Sequence, residues 1–196
     1  MRRKSFSLLI IIVIMSFVLS GCFGPNGNGN DDENSVWATY EHDYFALSYP
    51  EEWNILQERI SEYEWDEKEF KRKIVSIGDG MIDEEDEEWI EEPNEIIAID
   101  FKIEGEEITD EDWEERKEEL EKNYESEVSE MNIDGEPAYK LTIVDEDPVE
   151  EFAEKVTADL VFIYKNNFEH QITYGGFNDN YNEEMGEEII DSFEFK

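Results

Sequence analysis

Inside the run Lys155–Tyr164, Leu160, Phe162 and Tyr164 alternate with Val161 and Ile163, so both faces of the segment are apolar. A strand sends successive side chains to opposite sides, and such a strand stays dry only if a layer covers each face. This short stretch therefore demands a sheet in the middle of the molecule, with cover above and below. Its neighbours supply pairing partners. Phe168–Tyr174 follows across Asn166-Asn167, and Glu127–Ile133 and Ala138–Val144 flank Asp134-Gly135. Both dipeptides tolerate the positive φ that two-residue hairpin turns require, so the spacing predicts two hairpins.

Further strands are expected upstream. Tyr44–Tyr49 alternates and stops at Pro50, which has no N–H for a ladder. Trp53–Leu56 restarts an extended run, Phe70–Ile77 leads into Gly78-Asp79-Gly80, and Glu95–Ile103 places Ile97, Ile99, Phe101 and Ile103 on one face. Two helices interrupt the pattern. Thr109 can cap a helix with Asp112, while Ile108 and Trp113 sit at the positions of a hydrophobic staple. Trp113, Leu120 and Tyr124 then make one stripe, Asp112/Arg116 and Glu118/Lys122 are favourable pairs four apart, and the helix is expected to end near Glu125. Near the C-terminus, Tyr181, Met185 and Ile189 share a helical face, with Ile190 and Phe193 adjoining. The expected fold over residues 36–196 is an α+β domain: an antiparallel β-sheet sandwiched by α-helices.

Phe45-Ala46-Leu47-Ser48-Tyr49-Pro50-Glu51-Glu52-Trp53 resembles the F-x-(I/L)-x-(Y/F)-P-x-x-W entry motif of the PsbP-like family. The closing segment is similar too, from the paired strands holding Phe162 and Tyr174 through Tyr181 to Ile189-Ile190-Asp191-Ser192-Phe193. The resemblance implies a PsbP-like antiparallel sheet between helices, and an accessory or binding role with no catalytic site in common. Plant members assist the oxygen-evolving photosystem, and nothing in this chain matches that partner.

The N-terminus carries an address. Met1-Arg2-Arg3-Lys4 is a basic start, and Phe6–Leu19 is an uncharged run of 14 residues. As a helix it would reach about 21 Å, short of the roughly 30 Å hydrocarbon core of a bilayer. It reads as the apolar region of a signal peptide. Leu19-Ser20-Gly21-Cys22 resembles the lipobox of prokaryotic lipoproteins, where the cysteine thiol receives a diacylglycerol and the leader is cut just before it. The expected organisation is a lipoprotein signal peptide over residues 1–21, a flexible Gly/Asn tether over 22–35, and the domain over 36–196. Two acyl chains anchor firmly where one holds only marginally. The tether has a typical reach of about 20 Å and a taut limit near 50 Å. Cys22 is the only cysteine, so intrachain disulfides and cysteine metal clusters are excluded.

Acid dominates what remains. The full chain has 55 Asp+Glu against 16 Lys+Arg and a net charge of −39; losing Arg2, Arg3 and Lys4 leaves 13 basic residues and −42. A surface of this sign repels nucleic acid and anionic headgroups. Self-repulsion on this scale is screened at high salt, but Glu outnumbers Asp 39 to 16 and Lys outnumbers Arg 11 to 5, unlike an Asp- and Arg-rich halophile pattern.

Motifs for chemistry are missing: the chain has no G-x-S-x-G, H-E-x-x-H, Walker-type loop or G-x-G-x-x-G. His170 lies on the apolar parity of its strand and is expected in the core, bonded to a neighbour, and His42 in Glu41-His42-Asp43 is expected in an exposed turn. Asp83–Glu92 holds eight acids in ten positions and is expected to be a solvated loop docked by Trp89 and Ile90, able to collect a hard cation weakly. Asn178, Asn180 and Asn182 imitate the start of a calcium loop, but Glu183 stands where that loop needs glycine. The expectation is a non-catalytic, lipid-anchored extracytoplasmic module, with neither cofactor nor metal site nominated. It would bind an envelope protein partner or, alternatively, a small solute or divalent cation.

Overall fold

The computed structural model describes residues 36–65, 68–82, 89–91, 93–146 and 155–196. Twelve strands and two helices form among them. In chain order these are β1 (Trp37–Glu41), β2 (Phe45–Pro50), β3 (Asn54–Trp65), β4 (Lys68–Gly78), β5 (Met81–Ile82), β6 (Trp89–Glu91), β7 (Glu95–Glu104), α1 (Asp110–Tyr124), β8 (Ser129–Ile133), β9 (Glu136–Asp145), β10 (Val156–Lys165), β11 (Phe168–Phe177), α2 (Glu183–Asp191) and β12 (Glu194–Phe195). A seven-stranded sheet runs β3-β4-β7-β11-β10-β9-β8, a second sheet runs β1-β2-β12, and β5 pairs with β6. Every pairing is antiparallel.

The doubly apolar strand is where its sequence requires. β10 lies inside the large sheet, paired to β11 and β9, and Leu160 through Ile163 are all buried. The two expected hairpin turns have the expected backbone: Asn166 and Asn167 between β10 and β11 both take positive φ, as do Asp134 and Gly135 between β8 and β9.

One face of the sheet is covered by α1. Thr109 and Asp112 close a capping box, and Glu125 ends the helix in the left-handed conformation. Trp113 stacks on Tyr139 and Tyr164 with ring centres 4.5 and 5.4 Å apart, and Leu120 packs with Leu141, Leu160 and Phe162. Arg116 donates to both carboxylate oxygens of Glu169 at 2.6 and 3.0 Å, pinning the helix to β11.

The opposite face corrects the expected architecture. Its main cover is a second sheet, so the molecule is mostly β rather than an α+β sheet sandwiched by helices. Tyr40, Phe45 and Leu47 of β1 and β2 pack against Val75, Ile97, Ile99 and Phe101 below them. Phe45 stacks on Phe101 and Phe193, so the C-terminal segment completes the same cluster. The physical reason is length. α2 has nine residues, about 13 Å, whereas seven strands spaced about 4.8 Å apart span roughly 29 Å. A helix that short leaves most of the face open, and the two chain ends fill it by pairing β12 to β2.

Candidate functional site

Charged side chains on strands of apolar parity are the features that packing alone does not explain, and they gather in two places. The first is beside α2. Asp159 sits between Ala158 and Leu160 with no exposed surface. Its carboxylate accepts from Thr142 Oγ1 at 2.6 Å and lies 2.9 Å from Lys140 Nζ. Lys140 reaches out to Glu187 of α2 at 3.5 Å, and its amine is pushed up by both carboxylates against the opposing effect of burial. Burial, and then the Asp159 carboxylate, raise the pKa of the Tyr181 hydroxyl.

Adjacent to this group, Tyr174 is fully buried and donates to Glu95 Oε1, which also accepts from the Asn182 backbone N–H at 3.2 Å. Burial pushes the Glu95 carboxyl up, against the bond from Tyr174. Gly186 faces the Tyr174 ring: a Cβ there would lie 2.4 Å from Tyr174 Cδ1, so only glycine lets α2 seat this closely. Asn182 caps α2 by accepting from the Met185 N–H at 3.2 Å. Asn180 donates to the Phe177 carbonyl at 3.1 Å, and Asn178 takes φ 58° in the turn. The calcium-loop imitation is thus spent on a turn and a helix cap. Gly78-Asp79-Gly80 is likewise a turn, in which Asp79 accepts from Asn94 N, Asn94 Nδ2 and Glu95 N at 2.7–3.0 Å. Above these residues opens a depression of about 670 Å³, lined by Asp179 to Glu184 and Glu187.

The second group lies in the seam between the two sheets. Lys73 is only 4% exposed, on the parity of Val75 and Ile77, and donates to Glu58 Oε1 at 2.5 Å. Tyr40 is buried beside that carboxylate, and burial, then Glu58, raise its hydroxyl. His42 is half-buried rather than exposed, packed against the rings of Tyr44 and Phe45 at 5.2 and 6.0 Å. Burial first, then the charge of Lys73, lowers its pKa. His170 lies deeper on the same face, with 3% exposure. Its Nδ1 accepts from the Lys102 N–H at 3.2 Å, its ring stacks on Phe101 at 4.1 Å, and burial lowers it to about 4.

Sequence reasoning placed His170 and overlooked Asp159, Lys140 and Lys73. The missed signal was a charged residue at an inward position of an otherwise apolar strand. Among the described residues no three His, Cys, Asp or Glu side chains converge as metal ligands. Nor is any helix among them long and apolar enough to cross a membrane. Cys22 and Asp83–Glu88 lie outside the described residues, as do the side chains of Trp89 and Ile90.

No family model matches the chain, and no curated protein matches it. A crystallised protein from Bacteroides thetaiotaomicron is similar in structure at 17% identity and a TM-score of 0.46, over 78% of this chain and 45% of that one. The chain thus spans less than half the length of that protein.

Proposed function

We propose that this chain is a lipid-anchored extracytoplasmic module of the cell envelope that works by binding a protein partner and does no catalysis. The observation that carries the reading is the order of the N-terminal segments: a basic start, 14 apolar residues, Leu19-Ser20-Gly21-Cys22, and a Gly/Asn tether that gives way to β1 at Trp37. Binding rather than chemistry is supported by how the inward charges are spent: Asp159 on Thr142 and Lys140, Lys73 on Glu58, His170 on neighbouring backbone. The partner class is not taken from the PsbP-like resemblance, whose sheet sandwiched between helices this fold replaces, on one face, with a second sheet. Cys22→Ser in the full chain tests the anchor: the protein is expected to leave the membrane fraction, and unchanged membrane association contradicts the reading.

A second reading, a module for a small solute or divalent cation, draws on the acid-lined depression at the start of α2. Calorimetric titration with Ca2+ decides it. Heat and a melting shift at millimolar ion, both lost in Glu183→Gln/Glu187→Gln, support it; neither appearing removes it.

A further inference from the structure

The exposed apolar residues of this acidic molecule are unevenly placed. Of the five large hydrophobics that stand open to solvent among the described residues, Val36 (60%), Ile55 (47%) and Met81 (43%) belong to one corner. Direct bonds tie that corner together. The Glu51 N–H donates to the Val36 carbonyl at 2.8 Å, the Trp53 N–H to the Pro50 carbonyl at 2.9 Å, and Asn54 Nδ2 to the Gly80 carbonyl at 2.9 Å. Ile55 follows Asn54 and Met81 follows Gly80, while Trp37, paired to Pro50, and Tyr49 are half-buried at the same end. Val36 is also where the tether joins the domain. Isolated exposed aliphatics are ordinary on a protein surface. Three of them beside two amphipathic aromatics, at the point of attachment to a lipid anchor, are better placed for an apolar–aqueous boundary than for water.

We propose that this corner rests on the surface of the bilayer holding the anchor, with Val36, Ile55 and Met81 dipping into the headgroup region. The proposal depends on the lipid-anchor reading. The 14 residues from Cys22 to Ser35 have slack enough, since their typical reach of about 20 Å spans the headgroups without tension. Charge sets which lipid suits the contact. Glu51 and Glu52 are exposed beside the patch and the chain from Cys22 onward is −42, so zwitterionic headgroups allow the approach and anionic ones oppose it. The opposition acts within about one Debye length, roughly 8 Å at physiological ionic strength, and added salt relieves it.

The test uses the full lipidated chain, isolated from membranes and reconstituted in phosphatidylcholine vesicles whose acyl chains carry bromine near the headgroup. Trp37, kept as the sole tryptophan by replacing Trp53, Trp65, Trp89 and Trp113 with Phe in both wild-type and variant backgrounds, reports contact through quenching of its emission. Wild type is expected to be quenched, and Ile55→Asp/Met81→Asp to lose that quenching at least about twofold while still floating with the vesicles. Both substituted positions are exposed, and an unchanged melting temperature verifies the fold of the variant. Anionic lipid at low salt is expected to reduce the wild-type signal and salt to restore it. Equal quenching in wild type and variant, or none in either while both float, overturns the contact and leaves the corner to a protein neighbour. Failure of wild type to float removes the anchor, and the contact with it.

Discussion

The two faces of the seven-stranded sheet are built by opposite means. Cover on one face is local: α1 is followed at once by β8, β9, β10 and β11, and its Trp113 and Leu120 land on residues of those strands. Cover on the other is assembled from the chain ends, with β1 and β2 meeting β12. There the Ser48 N–H donates to Ser192 Oγ at 2.8 Å across 144 positions of sequence. Locally built cover forms with little loop-closure cost, whereas joining distant segments must repay that entropy through dense packing. The end-built face accordingly holds the stacked rings of Phe45, Phe101, Phe193 and Tyr44, together with the buried Lys73 and His170.

The largest effect separates these two regimes. Phe45 is wholly buried at the junction of both chain ends, and Phe45→Ala is expected to cost about 4 kcal/mol, enough to detach β1, β2 and β12 before the rest unfolds. Leu120→Ala, equally buried beneath α1, is expected to cost about 3 kcal/mol but to keep a single cooperative transition. Urea unfolding with hydrogen exchange resolved by segment distinguishes them. Identical single transitions in both variants would erase the contrast.

Acid is expected to act on the end-built face next. His170 has its folded pKa lowered to about 4 by burial, so the fold prefers the neutral ring. That contribution is complete above the unfolded value near pH 6.5 and is lost as pH falls toward 4, amounting to about 3 kcal/mol. His42 shifts in the same direction. Relative to wild type, His170→Gln should flatten stability between pH 6.5 and 4; parallel pH profiles would contradict the assignment.

Legibility in the sequence follows the same division. The α1 capping box, the Asp134-Gly135 and Asn166-Asn167 turns and the double face of β10 all rest on residues a few positions apart, and each formed as read. The second sheet could not be read this way. Trp37–Glu41 carries little alternation, β12 has two residues, and the pairing of β12 with β2 spans the whole domain. β3 was underestimated for a related reason: at the sheet edge its Gln57-Glu58-Arg59 needs no apolar pattern to hold its pairing with β4. The polar groups divide likewise. His170 was visible from strand parity, but Lys140 and Asp159 come together only through β9–β10 register.

A smaller effect sharpens the local side. Thr109→Ala removes the side chain that accepts from the Asp112 N–H, and about 1 kcal/mol of stability is expected to go with it. Thr109→Ser should keep most of it. Thermal melts of the pair measure this, and equal losses would mean the cap contributes nothing.

Mass analysis of the mature N-terminus tests the central claim most directly. Protein extracted from membranes should yield an N-terminal peptide that begins at Cys22 and carries the added mass of a diacylglycerol on its thiol. An unmodified Cys22, in a chain that begins at Met1 or is cut elsewhere, would contradict the account.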